Sequence, residues 1–462
     1  MIIKDRKFLI YGMGKTGVSL VKFITSSGGR VAVFDKKITE IPTEIANIGA
    51  ENRCGNKKKD LFLGIHAMIL SPGVSIYDEI VKTAISQKVV VMSEMDFSMQ
   101  YLSGVKIGIT ASGGKSTTTK LVYEMLKEEH PDVRIGGNYG VPICELCKNS
   151  TQNTISVLEI SSFMLEQSKS FHFDIAVLSN ISKNHLDRHK TMAKYLSAKC
   201  KIVKNQSQSD VAILPRGEEK IKAGVMKKIN KQSMPKIEYF EKYINTNVGT
   251  SAEKGEKSPN RIESGWIKVE NKEVVKCEQF KISGKHNFEN LLVACTVAKQ
   301  LGTADKTISQ VCENFQPLPH RFEKIATKNG VTYINDSKAT SGKSAETTLE
   351  IIDFPSVLMI GGSNKNDSFY DLFEKIKKNP FVVKVVIYGE VSGKIQTHAK
   401  AASYHNYEKS ADFTSAFGVA KSLCASGTSL VLVPACPSFD EFENFEKRGE
   451  KFKKLVEEIC KN

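Results

Sequence analysis

A short segment in the first quarter of the chain limits the possible folds more than any other. VKIGIT at 105–110 predicts a buried strand, the glycine-rich ASGGKS follows it, and TTTKLVYEMLKEE predicts an amphipathic helix. A glycine turn between a strand and a helix presents backbone N–H groups at the helix N-terminus, and these favour an anion such as phosphate. The segment therefore predicts an α/β domain that binds a nucleotide.

The side chains of this loop suit a triphosphate that carries magnesium. Lys115 can reach terminal phosphates, and the hydroxyl of Ser116 can ligate Mg²⁺. The strict eight-residue pattern of phosphate loops fails, because Ile109 stands where its first glycine would be. A glycine turn that binds nothing is the structural alternative.

The length of 462 residues predicts about three domains at roughly 150 residues each. Predicted strands alternate with helices along most of the chain, VVVMSEM at 89–95 among them, which favours parallel sheets. We expect an α/β fold with three domains, in which the ligands lie at the carboxyl ends of the strands. The predicted domains are a Rossmann-like N-terminal domain at 1–95, a central P-loop ATPase-type α/β domain at 96–317, and a C-terminal Rossmann-like α/β domain at 318–462.

The first predicted strand, KFLIY, is followed by GMGKTG, which supplies Gly12, Gly14 and Gly17. Asp35 ends the next strand, where an acid can hold a ribose hydroxyl. This pattern predicts a phosphate-bearing ligand over the first domain without specifying NAD. A strand-to-helix turn with a purely structural role is the alternative.

Further polar residues stand at the ends of central strands. Glu159 ends a buried strand, where a lone carboxylate is costly unless it is paired or bound to a metal. His185, Asp187 and His189 follow another strand, and histidine with carboxylate can hold Mg²⁺ near a triphosphate. A solvent-facing acid and structural histidines are the alternatives. The local spacing around Lys199 does not distinguish it from a surface lysine.

The last third of the chain repeats this arrangement of polar residues after predicted strands. Arg321 lies in PHRFE, and Asp336, Lys338 and Thr340 lie in INDSKAT, which ends the strand VTYIND. The final strand leads into PACPSFDEFENFEKRG. Polar residues at strand ends are more typical of a binding site than of a core.

Composition excludes several classes of protein. The net charge is +15, but the lysines are spread along the chain, so no nucleic-acid partner is expected. The ten cysteines are scattered, and the CxxC of Cys144 and Cys147 lacks a second ligand pair for zinc, which favours reduced thiols. No apolar run approaches the ~20 residues of a membrane span, and the start shows no signal peptide. We expect a cytoplasmic protein.

Taken in order, the segments resemble the Mur ligases of peptidoglycan synthesis, over nearly the whole chain except about 216–275. Among these ligases, the combination of LEISSF, LPHRFE, INDSKAT and SFDEFENFEKRG is most similar to members that add D-glutamate. The other motifs that carry the resemblance are GKST, GGNYG, NHLDRH, AKCK, GKHNFEN and GGSNK. The resemblance implies a monomeric ligase that uses ATP and Mg²⁺ to join D-glutamate to UDP-N-acetylmuramoyl-L-alanine through an acyl phosphate.

The resemblance also implies a role for each matched residue. The residues implied at the UDP-linked substrate are Gly14, Lys15, Thr16, Asp35, Ser71, Gly73, Asn138, Ser161 and His185. Those implied at ATP are Ser112, Gly113, Gly114, Lys115, Ser116, Thr117, Asn287, Asn290, Arg321 and Asp336. Those implied at D-glutamate are Lys338, Thr340, Lys365, Ser438 and Phe445. The implied metal ligands are Ser116, Glu159, His185 and a carbamylated Lys199, and the implied catalytic residues are Lys115, His185 and Lys199.

Four positions depart from the family's pattern. They are Ala111 in place of a loop glycine, Lys36 beside the expected uracil, Met164 in place of a glutamine, and Ser341 in place of an asparagine. If position 111 required a positive φ, alanine there would cost about 1 kcal/mol.

Other functions remain as alternatives at the level of sequence. A sister ligase for another amino acid, or a folylpolyglutamate-type ligase, shares most of the motifs. An NAD-dependent oxidoreductase leaves GGKST unused, and a nucleic-acid-stimulated NTPase lacks a helicase-type acidic motif. A binding protein without activity is the last alternative, because of Ala111.

Overall fold

The computed structural model describes residues 1–55, 60–241, 257–282, 284–363 and 368–461. The chain forms two compact units, of which the first contains Met1–Lys281 and Lys285–Asn314. The second unit contains Ile282–Gly284 and Phe315–Asn462. The main part of the second unit thus begins at Phe315.

The first unit begins with a five-stranded parallel sheet of order β3-β2-β1-β4-β5. The strand order reverses at β1, so a crevice forms beyond the carboxyl ends of β1 and β4. Apolar residues of the strands are buried against the helices on both faces. The strands are β1 (Lys7–Tyr11), β2 (Arg30–Phe34), β3 (Glu51–Asn52), β4 (Ala67–Leu70) and β5 (Val90–Ser93), and the helices are α1 (Lys15–Ser26), α2 (Thr43–Asn47), α3 (Glu79–Ser86) and α4 (Glu94–Ser98).

The strand predicted at 89–95 is too long at its carboxyl end. It stops at Ser93, and the helix α4 begins at Glu94. The cause is local, because the Ser93 side chain accepts a hydrogen bond from the backbone N–H of Asp96 at 2.9 Å and so caps the helix.

The second sheet of this unit has six parallel strands in the order β11-β10-β9-β6-β8-β7. Its strands are β6 (Val105–Thr110), β7 (Val133–Gly137), β8 (Ile155–Glu159), β9 (Ile175–Leu178), β10 (Val211–Pro215) and β11 (Lys236–Phe240). Its helices are α5 (Lys115–Lys127), α6 (Ile143–Leu146), α7 (Ser162–Gln167), α8 (Leu186–His189), α9 (Met192–Cys200) and α10 (Glu219–Met226), with 3-10 turns at Lys201–Val203 and Lys231–Ser233. Because β6 lies between β8 and β9, the residues that follow these three strands meet at one edge.

A small antiparallel sheet follows, which the polar sequence at 216–285 did not predict. It contains β12 (Arg261–Glu263), β13 (Trp266–Val269) and β14 (Lys272–Lys276), with a 3-10 turn at Cys277–Gln279. Two helices, α11 (Lys285–Gln300) and α12 (Asp305–Asn314), pack against β13 and β14, and α11 also packs along α5. Residues 251–256, the first part of the polar segment SAEKGEKSPN, lie outside the described residues.

The second unit contains a six-stranded sheet of order β15-β16-β20-β17-β18-β19, in which only β15 is antiparallel to its neighbour. Its strands are β15 (Glu323–Lys328), β16 (Val331–Asn335), β17 (Ser356–Gly361), β18 (Val382–Tyr388), β19 (Tyr407–Lys409) and β20 (Ser429–Ala435). Its helices are α13 (Gly342–Leu349), α14 (Tyr370–Lys378), α15 (Ser392–Ala401), α16 (Phe413–Ser422) and α17 (Phe445–Lys461). The predicted α/β class with parallel sheets is confirmed. Within the described residues, no helix combines the length and apolarity needed to cross a lipid bilayer.

Candidate functional site

The loop between β6 and α5 forms the turn that the sequence predicted. Gly114 has a φ of 83°, in the left-handed region that favours glycine, and a Cβ there would collide with the side chain of Asn290. Gly114 also occupies the N-cap of α5 without a side chain to cap it. The first-turn N–H groups of a helix have no acceptor within the helix, so this end is suited to an anion.

Ala111 causes no backbone strain. It does not have a positive φ, and its side chain is fully buried. The conditional cost expected for alanine at this position therefore does not arise. Its carbonyl oxygen accepts hydrogen bonds from Lys115 Nζ at 2.9 Å and Lys199 Nζ at 2.7 Å.

Asn180, which follows β9, holds the loop in shape. Its Oδ1 accepts from the backbone N–H groups of Ser112 and Gly113, both at 3.0 Å, and its Nδ2 donates to the Gly113 carbonyl at 3.0 Å. The hydroxyl of Ser112 lies 3.0 Å from that of Tyr195. Sequence reasoning missed Asn180, because an asparagine after a strand is common and its partners lie nearly 70 residues away.

Glu159 is buried at the end of β8, with 2% of its surface exposed. Its Oε2 accepts a hydrogen bond from the Ser116 hydroxyl, and its Oε1 accepts one from Asn138 Nδ2 at 2.5 Å. The alternative of a solvent-facing acid is therefore wrong. A buried carboxylate beside a buried hydroxyl is the kind of oxygen pair that Mg²⁺ prefers.

Lys199 is not a surface lysine, since its exposed fraction is 1%. Its Nζ donates to Thr110 Oγ1 at 3.0 Å and to the Ala111 carbonyl. Burial, reinforced by repulsion from Lys115, lowers the pKa of Lys199 well below its usual value. The amine is therefore biased toward the neutral, nucleophilic form.

The two predicted histidines lie at the two ends of the short helix α8, His185 at its N-cap and His189 as its last residue. His185 has a φ of 53° at its N-cap, and its ring lies 5.0 Å from that of Phe163. His189 is buried, with its Nε2 2.9 Å from Ser162 Oγ and its Nδ1 3.5 Å from a carboxylate oxygen of Glu166. These contacts give His189 a structural role, whereas His185 ends the segment that connects β9 to α8.

The residues predicted at the UDP end lie along the crevice beyond β1 and β4. Gly14 is the N-cap of α1, so Lys15 and Thr16 form its first turn. Asp35 accepts from the backbone N–H groups of Met13 at 2.9 Å and Lys37 at 2.8 Å, which fixes its carboxylate in place. The loop before Gly73 is tied to the glycine turn, because Ser71 Oγ donates to the Gly12 carbonyl at 2.8 Å.

Three further contacts involve residues of this region. Lys15 Nζ donates to the Gly140 carbonyl at 2.6 Å, in the loop that follows Asn138. Lys36 forms an ion pair with Asp78 at 2.6 Å. Ser161 caps α7 by accepting from Met164 N at 3.2 Å, and the Met164 side chain is buried.

In the second unit, Asp336 follows β16 and is buried. Its Oδ1 accepts from the Phe322 backbone N–H at 3.2 Å, and its Oδ2 accepts from the Thr348 hydroxyl. Burial raises the pKa of Asp336 to about 7. Ser341 caps α13, because its hydroxyl accepts a hydrogen bond from Ser344 N at 3.3 Å. An asparagine side chain at this position would also supply an N-cap acceptor.

Arg448 joins the two segments predicted to contact the amino acid. It is fully buried and donates to the carbonyls of Ser337 at 2.9 Å and Cys436 at 3.0 Å. This links the segment that leads to Lys338 and Thr340 with the segment that leads to Ser438. Sequence reasoning did not single out Arg448, since an arginine on a terminal helix is normally exposed.

The predicted amino-acid contacts occur in these two segments. Lys338 Nζ lies 3.7 Å from the ring centroid of Phe445. Thr340 donates its backbone N–H to the Lys338 carbonyl at 2.7 Å. Ser438 Oγ is buried and has no hydrogen-bond partner among the residues that the structure describes. Lys365 lies outside those residues.

The residues present fit both ATP and Mg²⁺. The loop combines an uncapped helix N-terminus with Lys115, which folds back over the loop and is long enough to extend toward phosphate. Asn287 and Asn290 lie on α11, beside the N-terminal part of α5. Asn290 Oδ1 accepts a hydrogen bond from Thr118 Oγ1 of α5 at 3.3 Å, and Asn290 also contacts Asn287. Ser116 and Glu159 supply oxygen ligands next to it.

Comparison with known proteins agrees with this geometry. The family model of the Mur ligase middle domain matches residues 109–298, and that of the MurD-like N-terminal domain of Mur ligases matches residues 6–93. The chain is 31% identical to the UDP-N-acetylmuramoylalanine--D-glutamate ligase of Desulfitobacterium hafniense (strain Y51), over 99% of this chain and 98% of that protein. The chain belongs to the Mur ligase family. The predicted family is thus confirmed, and so is the prediction of a ligase.

Other Mur ligases show the same likeness. The UDP-N-acetylmuramoylalanine--D-glutamate ligase of Thermoanaerobacter sp. (strain X514) is 32% identical, over 99% of this chain and 100% of that protein. Among solved structures, UDP-N-acetylmuramate-alanine ligase from Thermotoga maritima covers 98% of this chain and 99% of its own, with a TM-score of 0.61 and 15% identity. The MurF ligase from Thermotoga maritima in complex with ADP covers 99% of both chains, with a TM-score of 0.60 and 16% identity. At these identities the two structures show the Mur ligase fold alone.

Proposed function

We propose that this Mur ligase joins D-glutamate to UDP-N-acetylmuramoyl-L-alanine and converts ATP to ADP and phosphate. The observation that carries the proposal is the buried carboxylate of Glu159, held between Ser116 of the glycine loop and Asn138. Likeness over the whole length to relatives named as D-glutamate ligases supports the choice of amino acid. The division into a UDP-substrate domain, an ATP domain and an amino-acid domain is part of the proposal.

In the first step, a carboxylate oxygen of the substrate's alanine attacks the γ-phosphorus of ATP, ADP leaves, and an acyl phosphate forms. Carboxylate and triphosphate repel each other, so a cation must neutralise the charge that develops. Lys115 is the proposed cation, together with the N-terminus of α5. The other proposed ATP contacts here are Ser112, Gly113 and Gly114 of the loop, Thr117 in the first turn of α5, and Asn287 and Asn290 of α11.

In the second step, the amine of D-glutamate attacks the acyl carbon, loses a proton, and expels phosphate. The proposed amino-acid contacts in the second unit are Lys338, Thr340, Ser438 and Phe445, and Lys365 is kept from sequence alone. The buried Ser438 hydroxyl supports this assignment, because a buried polar group normally has a partner. Arg321 and Asp336 are proposed ATP contacts.

Magnesium, when bound, would neutralise phosphate charge and hold the reacting oxygens in line. The proposed ligands are Ser116, Glu159, His185 and a carbamylated Lys199. Burial and the lowered pKa of Lys199 support the carbamate, because only a neutral amine attacks CO₂. The Nζ lone pair forms the N–C bond, one proton is released, and the product is a carboxylate at the position of the amine.

The UDP end of the substrate is assigned to the crevice of the first sheet. Gly14, Lys15 and Thr16 offer a helix N-terminus to phosphate, while Asp35, Ser71 and Gly73 line the same crevice. Asn138, which donates to Glu159, and Ser161, the N-cap of α7, are proposed as further contacts of the same substrate. A cytoplasmic location, a monomeric state and the absence of a nucleic-acid partner complete the proposal.

A sister ligase for another amino acid is the main rival, and a substrate panel distinguishes the two. Purified enzyme is given ATP, Mg²⁺ and UDP-N-acetylmuramoyl-L-alanine, with D-glutamate, L-glutamate, L-alanine or no amino acid, and phosphate release is followed. We expect D-glutamate to raise the rate at least about tenfold over every other condition, which corresponds to about 1.4 kcal/mol of discrimination. A preference for L-alanine, or phosphate release that ignores the amino acid, would reject the proposal.

A further inference from the structure

The segment Ser71–Val74, which follows β4 beside the UDP crevice, is held from outside its own sheet. The holding residue is Gln167, the last residue of α7. Its Nε2 donates to the carbonyls of Pro72, at 3.2 Å, and Val74, and it lies 3.4 Å from the Ser71 carbonyl. The buried side-chain amide of Gln167, on a helix of the second sheet, thus contacts the carbonyl groups of Ser71, Pro72 and Val74.

The orientation of that amide follows from its surroundings. Carbonyl oxygens accept hydrogen bonds only, so the NH₂ group of Gln167 must face them. The Oε1 of Gln167 is buried and has no partner among the described residues. The side chain therefore acts as a donor toward the segment.

A second donor reaches the same segment from α8. Arg188 donates from Nη1 to the Pro72 carbonyl and from Nη2 to the Val74 carbonyl, both at 3.3 Å. Its Nε donates to Glu166 at 3.1 Å, and its guanidinium carbon lies 4.2 Å from the ring centroid of Phe163. The ion pair with Glu166 and the ring of Phe163 fix the plane of the guanidinium, so the N–H groups of Nη1 and Nη2 point in fixed directions.

Both donors belong to elements that start at the proposed reaction centre. Helix α7 begins three residues after Glu159 and spans about 9 Å at 1.5 Å per residue before it reaches Gln167. Helix α8 begins directly after His185, and Arg188 is its third residue. Glu159 and His185 are therefore connected through short rigid elements to the segment beside the UDP crevice.

We propose that Gln167 and Arg188 are positioning residues for the UDP-linked substrate. They fix the segment Ser71–Val74 relative to Glu159 and His185, so that the UDP end and the reacting carboxylate are bound at a set separation. This inference rests on the proposed function. It concerns only the UDP-linked substrate, because neither side chain contacts the glycine loop at 111–114 among the contacts described.

The test compares Gln167→Leu with a matched control, Gln206→Leu. Gln206 is also buried and donates to two carbonyls, those of Phe173 at 3.1 Å and Val211 at 2.9 Å, and its Oε1 also has no partner within the described part of the chain. Phe173 precedes β9 and Val211 is the first residue of β10, so both carbonyls lie at the amino ends of these strands, away from the crevice. Both variants lose similar contacts, but only Gln167→Leu releases the substrate segment.

For Gln167→Leu, we expect kcat/KM for UDP-N-acetylmuramoyl-L-alanine to fall at least about tenfold while KM for ATP stays within about twofold, with Gln206→Leu close to wild type in both. Calorimetric titration with UDP should show the same loss of affinity. Arg188→Lys keeps the charge but loses the two donating arms of the guanidinium, so its kcat/KM for the UDP-linked substrate should fall as well. This variant provides the test if Gln167→Leu does not fold.

The inference is overturned if folded Gln167→Leu and Arg188→Lys keep wild-type kcat/KM for the UDP-linked substrate. It is equally overturned if Gln206→Leu loses as much, or if KM for ATP rises in parallel. Failure of the proposed function looks different, because the wild-type enzyme would then give no amide product with D-glutamate. The affinities of wild type and variants for UDP could still be compared by calorimetric titration in that case.

Discussion

The hydroxyl of Ser116 donates a hydrogen bond to the carboxylate of Glu159, although 43 residues separate them in the chain. Ser116 lies in the first turn of α5, after β6, and Glu159 ends the neighbouring strand β8. Both side chains are buried, with exposed fractions of 4% and 2%. The parallel pairing of the two strands thus places a hydroxyl and a carboxylate side by side at the end of the glycine loop, and these two side chains would hold a magnesium ion there.

Lys115→Ala should nearly abolish ADP formation. The ammonium group is the proposed cation at the terminal phosphates, and removing one such group from a preorganised site costs about 100- to 1000-fold in rate. Lys120→Ala is the control, since Lys120 is on the same helix and pairs with Glu124. Coupled ADP assays at saturating substrates should show the loss in the first variant alone. Near-normal turnover of Lys115→Ala would remove Lys115 from the mechanism.

Glu159→Gln should raise the Mg²⁺ concentration needed for half-maximal activity at least about tenfold. The amide keeps the shape and still offers one oxygen, but it lacks the charge that a divalent cation requires. A magnesium titration of ADP formation measures the effect. An unchanged magnesium requirement, in a variant that melts like wild type, would argue against Glu159 as a ligand.

Much of the fold could be predicted because its strands are continuous apolar runs that end in polar residues. KFLIY and VKIGIT coincide with β1 and β6. The small antiparallel sheet β12–β14 was not predicted, because its strands have only three to five residues, and their lysine-rich sequence hides the alternation of buried positions.

The site could be predicted only where one segment carries the signal. Ser116 and Lys115 follow from the loop sequence, but Lys199 looks like any lysine until the fold buries it beneath the Ala111 carbonyl. Asn180 contacts Gly113, 67 residues away in sequence, and Arg448 contacts Ser337, 111 residues away. No local pattern encodes such contacts, since they depend on which strands become neighbours.

Carbamylation of Lys199 should be visible by NMR. Protein equilibrated with ¹³C-labelled bicarbonate near pH 8 should show a carbamate carbon signal, because burial lowers the pKa of Lys199 and so increases the share of neutral amine that can attack CO₂. Lys199→Arg should lose the signal, whereas Lys204→Arg, at an exposed lysine, should keep it. A wild-type spectrum without the signal, or its survival in Lys199→Arg, would disprove the modification.

Glu94 should make the stability of the protein depend on pH. It is buried, and its Oε1 accepts from Cys144 N at 3.0 Å and Ser98 Oγ at 3.2 Å. Burial raises its pKa from 4.5 to about 7. Between these values the folded state binds more protons than the unfolded state, so stability falls as the pH rises through this range.

Glu94→Gln removes this dependence and keeps an acceptor oxygen. Between pH 4.5 and 8, the free energy of unfolding of the variant should therefore rise relative to wild type by up to roughly 3 kcal/mol. Urea unfolding of both proteins at the two pH values measures the difference, and Asp336, present in both, cancels. Parallel pH profiles would show that Glu94 does not titrate in this range.

Calorimetric titration with a non-hydrolysable ATP analogue tests the triphosphate site most directly. Wild-type protein should bind the analogue with one site per chain in the presence of Mg²⁺, and chelation of Mg²⁺ should weaken binding at least about tenfold, or about 1.4 kcal/mol. Lys115→Ala should lose most of the affinity, while Lys120→Ala should keep it. Absence of binding heat in wild type, or binding indifferent to both Mg²⁺ and Lys115, would contradict the account.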